Sequence, residues 1–225
     1  MAKKKQTVED QNLENVQEAL NTTSVWIEKN QNKLTWAVTI IVVLVVGALA
    51  LNTYVIKPKA VEASNENAKA VAYFMQGDWE KALNGDDAEC IGFQAVADEY
   101  KCYQAGKLAA LYTGVCYYQM GQFEDAAAYL NKFSADDLTI EPAALQLLGD
   151  AYVQMEDFAK AVKAFEAAAK SGNELIAPMS LKKAGLVYLE LGDKAAAKKA
   201  FETIKTDYPA STEAQNIEAY IAIAD

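Results

Sequence analysis

The chain contains no histidine and no arginine, and its 21 basic residues are all lysine. The side chain that ordinarily titrates near neutrality is therefore missing, which removes imidazole-based acid–base catalysis. Bidentate guanidinium clamps on phosphate or carboxylate are removed as well. A net charge of −10 leaves no basic footprint for nucleic acid. Cysteine is sparse: Cys90, Cys102 and Cys116 form an odd set without a CxxC pair, so no metal site is expected. They read as small buried apolar residues, with a Cys102–Cys116 bridge in an oxidising compartment left open. Proline is scarce, at four residues, and apolar residues make up 52%. That balance describes a folded, helix-rich chain.

One long stretch lacks charge altogether. Residues 34–56, "LTWAVTIIVVLVVGALALNTYVI", have the length a helix needs to cross a bilayer. Trp36 and Tyr54 stand near its ends, where amphipathic rings favour the interface, and Lys33 and Lys57 bracket it. "ALA" at 48–50 has the form of a cleavage site, but 33 residues precede the run, too many for a signal peptide. The span is therefore expected to be retained. Lysines 3, 4, 5, 29 and 33 before it favour a cytoplasmic N-terminus. The residues from 60 onward carry 26 acids against 14 lysines, which does not forbid export of a long domain. In the preceding tail, Thr7 reads as the cap of a short amphipathic helix, with Leu13, Val16 and Leu20 on one stripe. That helix is either a solvated extension or a docking element for a cytoplasmic partner.

The remainder repeats itself. Residues 108–133, 143–168 and 179–204 align without gaps. Gly114, Gly149 and Gly185 correspond, as do Tyr117, Tyr152 and Tyr188, then Ala126, Ala161 and Ala197, then Leu130, Phe165 and Phe201. A small residue on a first helix lets a second approach, the aromatic fills the space beside it, and the Leu or Phe packs into the next unit. Gly121 and Gly192 fall at the turn, where a positive φ costs them little. The second unit has Glu156 there instead. This pattern resembles the tetratricopeptide repeat, a helix–turn–helix unit of about 34 residues. Residues 92–101 read as the second helix of a degenerate first unit whose first helix covers 60–76, with 77–90 as a divergent connection. After Pro209, Ser211 or Thr212 is expected to cap a final helix that presents Ile217, Tyr220 and Ile221 to the stack.

The expected architecture is thus all-α: a single transmembrane helix followed by a solenoid of tetratricopeptide-like hairpins. Its segments are a tail (1–33), the span (34–56), a linker helix with the degenerate unit (57–106), three repeats (107–209) and a capping helix (210–225). First helices of such repeats line a concave groove. The positions expected there are Leu111, Val115, Tyr118 and Gln119, then Gln146, Asp150, Val153 and Gln154, then Met179, Lys182, Leu186 and Leu189. Lys182 has no asparagine beside it, which rules out a clamp for a C-terminal carboxylate. A largely apolar groove with amide rims suits an extended or helical peptide. Two occupants stay open: a partner in trans, or the chain itself through residues 60–76 or a neighbouring copy. Asp86–Asp87 and Asp136–Asp137 are read as solvated loop acids rather than Ca²⁺ ligands, and neither a catalytic constellation nor a cofactor is expected.

The tail–span–repeat order, together with "ALNGDDAECIGF", "KLAALYTGVCYYQMG" and "LKKAGLVYLELGDKAAAKKAFETIKTDYP", resembles the membrane-anchored proteins of the YfgM type. These are ancillary subunits of the bacterial Sec translocon, and the likeness is to their Bacteroidetes-like form. The resemblance implies a single-pass inner-membrane protein with a periplasmic repeat domain. Its implied partners are the Sec translocon, exported polypeptides or envelope chaperones. A scaffold of an envelope assembly complex and a self-assembling homo-oligomer are the alternatives.

Overall fold

The computed structural model describes residues 8–86 and 89–225, with side chains from Thr22 onward. Helices dominate the described residues and no strand occurs, apart from an isolated bridge between Asp86 and Cys90. The chain divides into two units, residues 1–58 and 59–225.

The first unit is one long helix. Helix α1 runs from Val8 to Leu51, so the helix of the tail continues unbroken into the apolar stretch. Nothing between residues 8 and 46 would break it, since no Gly or Pro lies there. The expected cap, Thr7, lies outside the described residues. A π turn follows at Asn52–Ile56, where Lys57 N–H reaches back to Asn52 O. The cause is Pro58: its ring would strike the carbonyl four residues back in a regular α-helix, and one wide turn relieves that clash. The helical stretch from Thr22 includes a window of mean hydropathy 2.7 with none of it buried, long and apolar enough to cross a membrane.

The second unit is a series of antiparallel hairpins. Helix α2 (Lys57–Met75) turns into α3 (Trp79–Asn84) and α4 (Gly92–Glu99). Then come α5 (Gln104–Gln119) with α6 (Phe123–Leu130), α7 (Ile140–Gln154) with α8 (Phe158–Ala169), and α9 (Ile176–Glu190) with α10 (Lys194–Asp207). A 3₁₀ turn at Glu213–Asn216 leads into α11 (Ile217–Ala224), and Ser211 Oγ accepts the Ala214 N–H as that turn begins. Ile217 is buried, and Tyr220 and Ile221 pack beside it against Phe201 and Ile204, as the sequence anticipated.

The glycines at the centre of the first helices are contact points. A Cβ on Gly114 would stand 2.6 Å from Leu130, and Cβ atoms on Gly149 and Gly185 would stand 2.4 and 2.3 Å from Phe165 and Phe201. Each large side chain thus lies across the glycine of its own hairpin, and it also joins residues of the following element, Leu148, Ala184 and Ile217 respectively. The alanines between the helices, Ala126, Ala161 and Ala197, are fully buried.

The four hairpin turns share one backbone. Gly77, Gly121, Glu156 and Gly192 all have positive φ, at 77°, 76°, 58° and 76°. The N–H of the residue after each returns to the carbonyl of Tyr73, Tyr117, Tyr152 or Tyr188. Asp78, Asp157 and Asp193 then cap the second helices by accepting the N–H three residues on, at 3.2, 3.2 and 3.0 Å. Gln122 holds the corresponding place in the second hairpin and makes no side-chain cap.

The stretch read as a divergent connection begins with a helix, Trp79–Asn84. Asp78 starts α3 directly at the turn, as in the other hairpins. Its helix is then interrupted by a pinched loop. Gly85 and Gly92 have φ of 82° and 79°, and a Cβ on either would stand 2.0 Å from Cys90 O or 2.3 Å from Leu83 O. The second helix of the first hairpin is therefore split into α3 and α4. Asp86 holds the loop together, accepting the Glu89 and Cys90 N–H groups and the Tyr73 hydroxyl. Phe93 from α4 stacks on Tyr112 at 4.7 Å, with Phe74 edge-on to both. All three cysteines are free thiols. Cys90 and Cys116 are buried, but Cys102 is exposed in the turn between α4 and α5, contrary to expectation.

Candidate binding surface

The first helices run parallel. Asn67 Nδ2 on α2 donates to Ala105 O on α5 at 2.7 Å, and seven residues further along each helix the rings of Phe74 and Tyr112 meet at 5.0 Å. An unchanged offset in both chain directions requires parallel, in-register helices. Helix α9 is tied to α7 through Lys183 Nζ, which reaches both Asp150 carboxylate oxygens at 2.8 and 2.6 Å.

The twelve expected groove positions separate into three groups. Leu111 and Tyr118 pack with Leu145 around Leu148; Val153 packs with Val162 and Val187; Leu189 packs with Ile204 and Ile217. These side chains form the seams between successive hairpins rather than an open wall. Polar and half-covered positions form the second group. Asp150 is neutralised by Lys183, and Lys182 lies 4.7 Å over the Tyr220 ring. Gln146 is half-buried and its Nε2 is enclosed without a hydrogen bond, while Val115 and Met179 are half-buried. Gln119, Gln154 and Leu186 remain exposed, Leu186 at 42%. The accessible strip is therefore narrower and more amide-rich than the sequence implied. A first helix in a stack faces its own partner, the next hairpin and solvent, and periodicity alone does not separate the last two.

The tyrosines that recur in the alignment do more than fill space. Tyr117 Oη donates to Gln94 Oε1 at 3.1 Å, Tyr152 Oη accepts from Asn131 Nδ2 at 2.9 Å, and Tyr188 Oη donates to Glu166 Oε1 at 2.7 Å. Each partner belongs to the second helix of the preceding hairpin or lies just past its end, so each tyrosine latches one unit to the one before. Burial, and then the bond to Glu166, push the Tyr188 pKa up to about 12. Tyr73 is likewise raised to about 12, chiefly by its bond to Asp86. The equivalence of the tyrosines was visible in the sequence. Their partners were not, because Gln94, Asn131 and Glu166, each directly after the large side chain of its second helix (Phe93, Leu130, Phe165), differ in residue type.

The loop acids have structural work. Asp137 accepts the Thr139 and Ile140 N–H groups where α7 begins, and those backbone bonds hold its carboxyl below the usual carboxylate range. Asp87 lies outside the described residues. Among the described residues, no group of three His, Cys, Asp or Glu is placed to hold a metal.

The sequence profile of the tetratricopeptide repeat matches residues 108–136 and 147–212. The crystal structure of MamA is similar to this chain at a TM-score of 0.50, with 21% identity over 69% of this chain and 91% of that one. A crystal structure described as Podosopora anserina putative kinesin light chain nearly identical tetratricopeptide-like repeats is similar at 0.53, with 14% identity over 73% and 86%. At these identities the likeness is one of fold. No curated protein matches the chain in sequence.

Proposed function

We propose that this tetratricopeptide-repeat chain is a non-catalytic, membrane-anchored binding module that serves as an ancillary subunit of the Sec translocon, receiving or handing on exported polypeptides. The repeats make it a protein-interaction module, and that much is common ground with any repeat solenoid. The observation that carries the finer reading is the joining, in one chain, of a helix apolar enough to cross a membrane and a solenoid that keeps Gln119, Gln154 and Leu186 exposed on its first helices. A tethered module meets its clients at a high effective concentration, so weak contacts to amides and one leucine suffice. Amide side chains can bond the backbone of an extended chain whatever its sequence, which fits a broad clientele. In this reading the first unit lies in the bacterial inner membrane with its N-terminus cytoplasmic, and the repeats are periplasmic.

Site-specific photocrosslinking in living cells tests the proposal. Probes at Gln119, Gln154 and Leu186 should label channel subunits or exported chains, while a probe at the exposed Glu202 on α10 should not. Adducts confined to envelope-assembly proteins would replace the translocon by a scaffold role, and adducts only to the same chain would mean a self-filled groove.

A further inference from the structure

The amino-terminal part of α1 is a continuous helix, and its sequence carries a second pattern that the anchoring reading leaves unused. Counting from Leu13, residues at alternating steps of three and four are Leu13, Val16, Leu20, Thr23, Ile27, Asn30 and Leu34. These are the a and d positions of three successive heptads, with aliphatic residues at every a. The charged residues Glu14, Glu18, Glu28 and Lys29 all fall at outward b, c and f positions. The positions flanking the seam, e and g, hold Asn12, Gln17, Ala19, Ser24, Trp26, Gln31 and Lys33, of which only Lys33 is charged. Within the described side chains, Ile27 is 47% exposed and Trp26 58% exposed, so this face of the unit is uncovered.

We propose that residues 13–34 of α1 pair in parallel with the same segment of a second copy of this chain, as a short two-stranded coiled coil. Three observations select that occupant. In a parallel pair, each g position meets e of the following heptad on the other strand. Asn12 would thus meet Gln17, Ala19 would meet Ser24, Trp26 would meet Gln31 and Lys33 would meet Val38, so identical strands bring no like charges together. A helix lying on lipid would gain from apolar residues throughout the stripe, whereas Thr23 and Asn30 interrupt it; a single seam asparagine is how paired helices fix register at some loss of stability. Finally, two copies anchored by the adjoining span enter the membrane in the same direction, so their tails are already parallel. Three heptads alone would associate weakly in solution, and confinement in the bilayer supplies the missing concentration. The proposal rests on the anchored reading above for that last step.

The test uses the full chain with Cys102→Ser, reconstituted in phosphatidylethanolamine–phosphatidylglycerol vesicles, with single cysteines introduced one at a time from residue 20 to 34. These substitutions lie on an exposed helix and leave the repeats untouched. Oxidation should give disulfide dimers that peak at Leu20, Thr23, Ile27, Asn30 and Leu34, about fivefold above Val25, Glu28 and Lys29. Yields without that periodicity, or no dimer in vesicles that retain the chain on flotation, would overturn the pairing. A chain that fails to float with the vesicles would overturn the anchored reading first, and the pairing with it.

Discussion

At the scale of single residues, the hairpins depend on a few positions where size or backbone sign leaves no latitude. Adding a methyl group to Gly149 places a Cβ 2.4 Å from the Phe165 ring, which is wedged between two hairpins and has little room to yield. Gly149→Ala should lose about 1–3 kcal/mol of stability in urea unfolding, the usual range for overpacking. Glu156 holds φ at 58° where the other three turns use glycine. Glu156→Gly should therefore raise stability by about 1 kcal/mol, read as a higher denaturation midpoint at unchanged m-value. Tyr188 carries a pH signature. Its hydroxyl ionises near 10 when unfolded and at about 12 when folded, so its contribution is intact below about pH 10 and is lost as the pH rises to about 12. Against Tyr188→Phe, which lacks the group, the wild-type advantage in thermal midpoint should shrink across that interval; a constant difference would show that the hydroxyl gains nothing from Glu166.

At the scale of elements, the three caps and their one exception make a matched experiment. Asp78, Asp157 and Asp193 each accept an N–H at the start of a second helix, and Gln122 does not. Gln122→Asp should stabilise α6 by about 1 kcal/mol, and Asp157→Ala should remove about as much from α8. Both are measurable by amide exchange in the helix concerned. The asymmetry also explains what the sequence disclosed. The Gly–Ala–Phe spacing was legible because the glycine meets the Leu or Phe of its own hairpin, where the chain fixes the separation. Leu111 and Tyr118 looked like groove wall and proved to be seam, because which face meets the next hairpin depends on how hairpins stack, and that is not encoded in the period of one helix. The same holds for Asp150, read as an exposed groove acid and found bonded to Lys183. Helix α3 escaped notice for a different reason: six helical residues ended by Gly85 carry too short a pattern to read.

At the scale of the molecule, repeat stacks behave as chains of coupled neighbours, each stabilised by its own hairpin and by the interface it shares. The second helices are unequal links in that chain. They measure 6 and 8 residues in the divided first hairpin, 8 in α6, then 12 and 14 in α8 and α10. Short helices are poor at forming before their packing partners are in place. Closure of the pinched loop at 85–91 also requires two glycines to adopt positive φ together. Folding should accordingly nucleate in α7–α10 and propagate backward toward α2. Pulse-labelled hydrogen exchange during refolding would show α8 and α10 protected first and α4 last, and simultaneous protection of all hairpins would refute that order. For a chain made from its amino end, the earliest hairpin to emerge is then the last to become secure. The split that divides its second helix thus makes the oldest segment wait for the youngest.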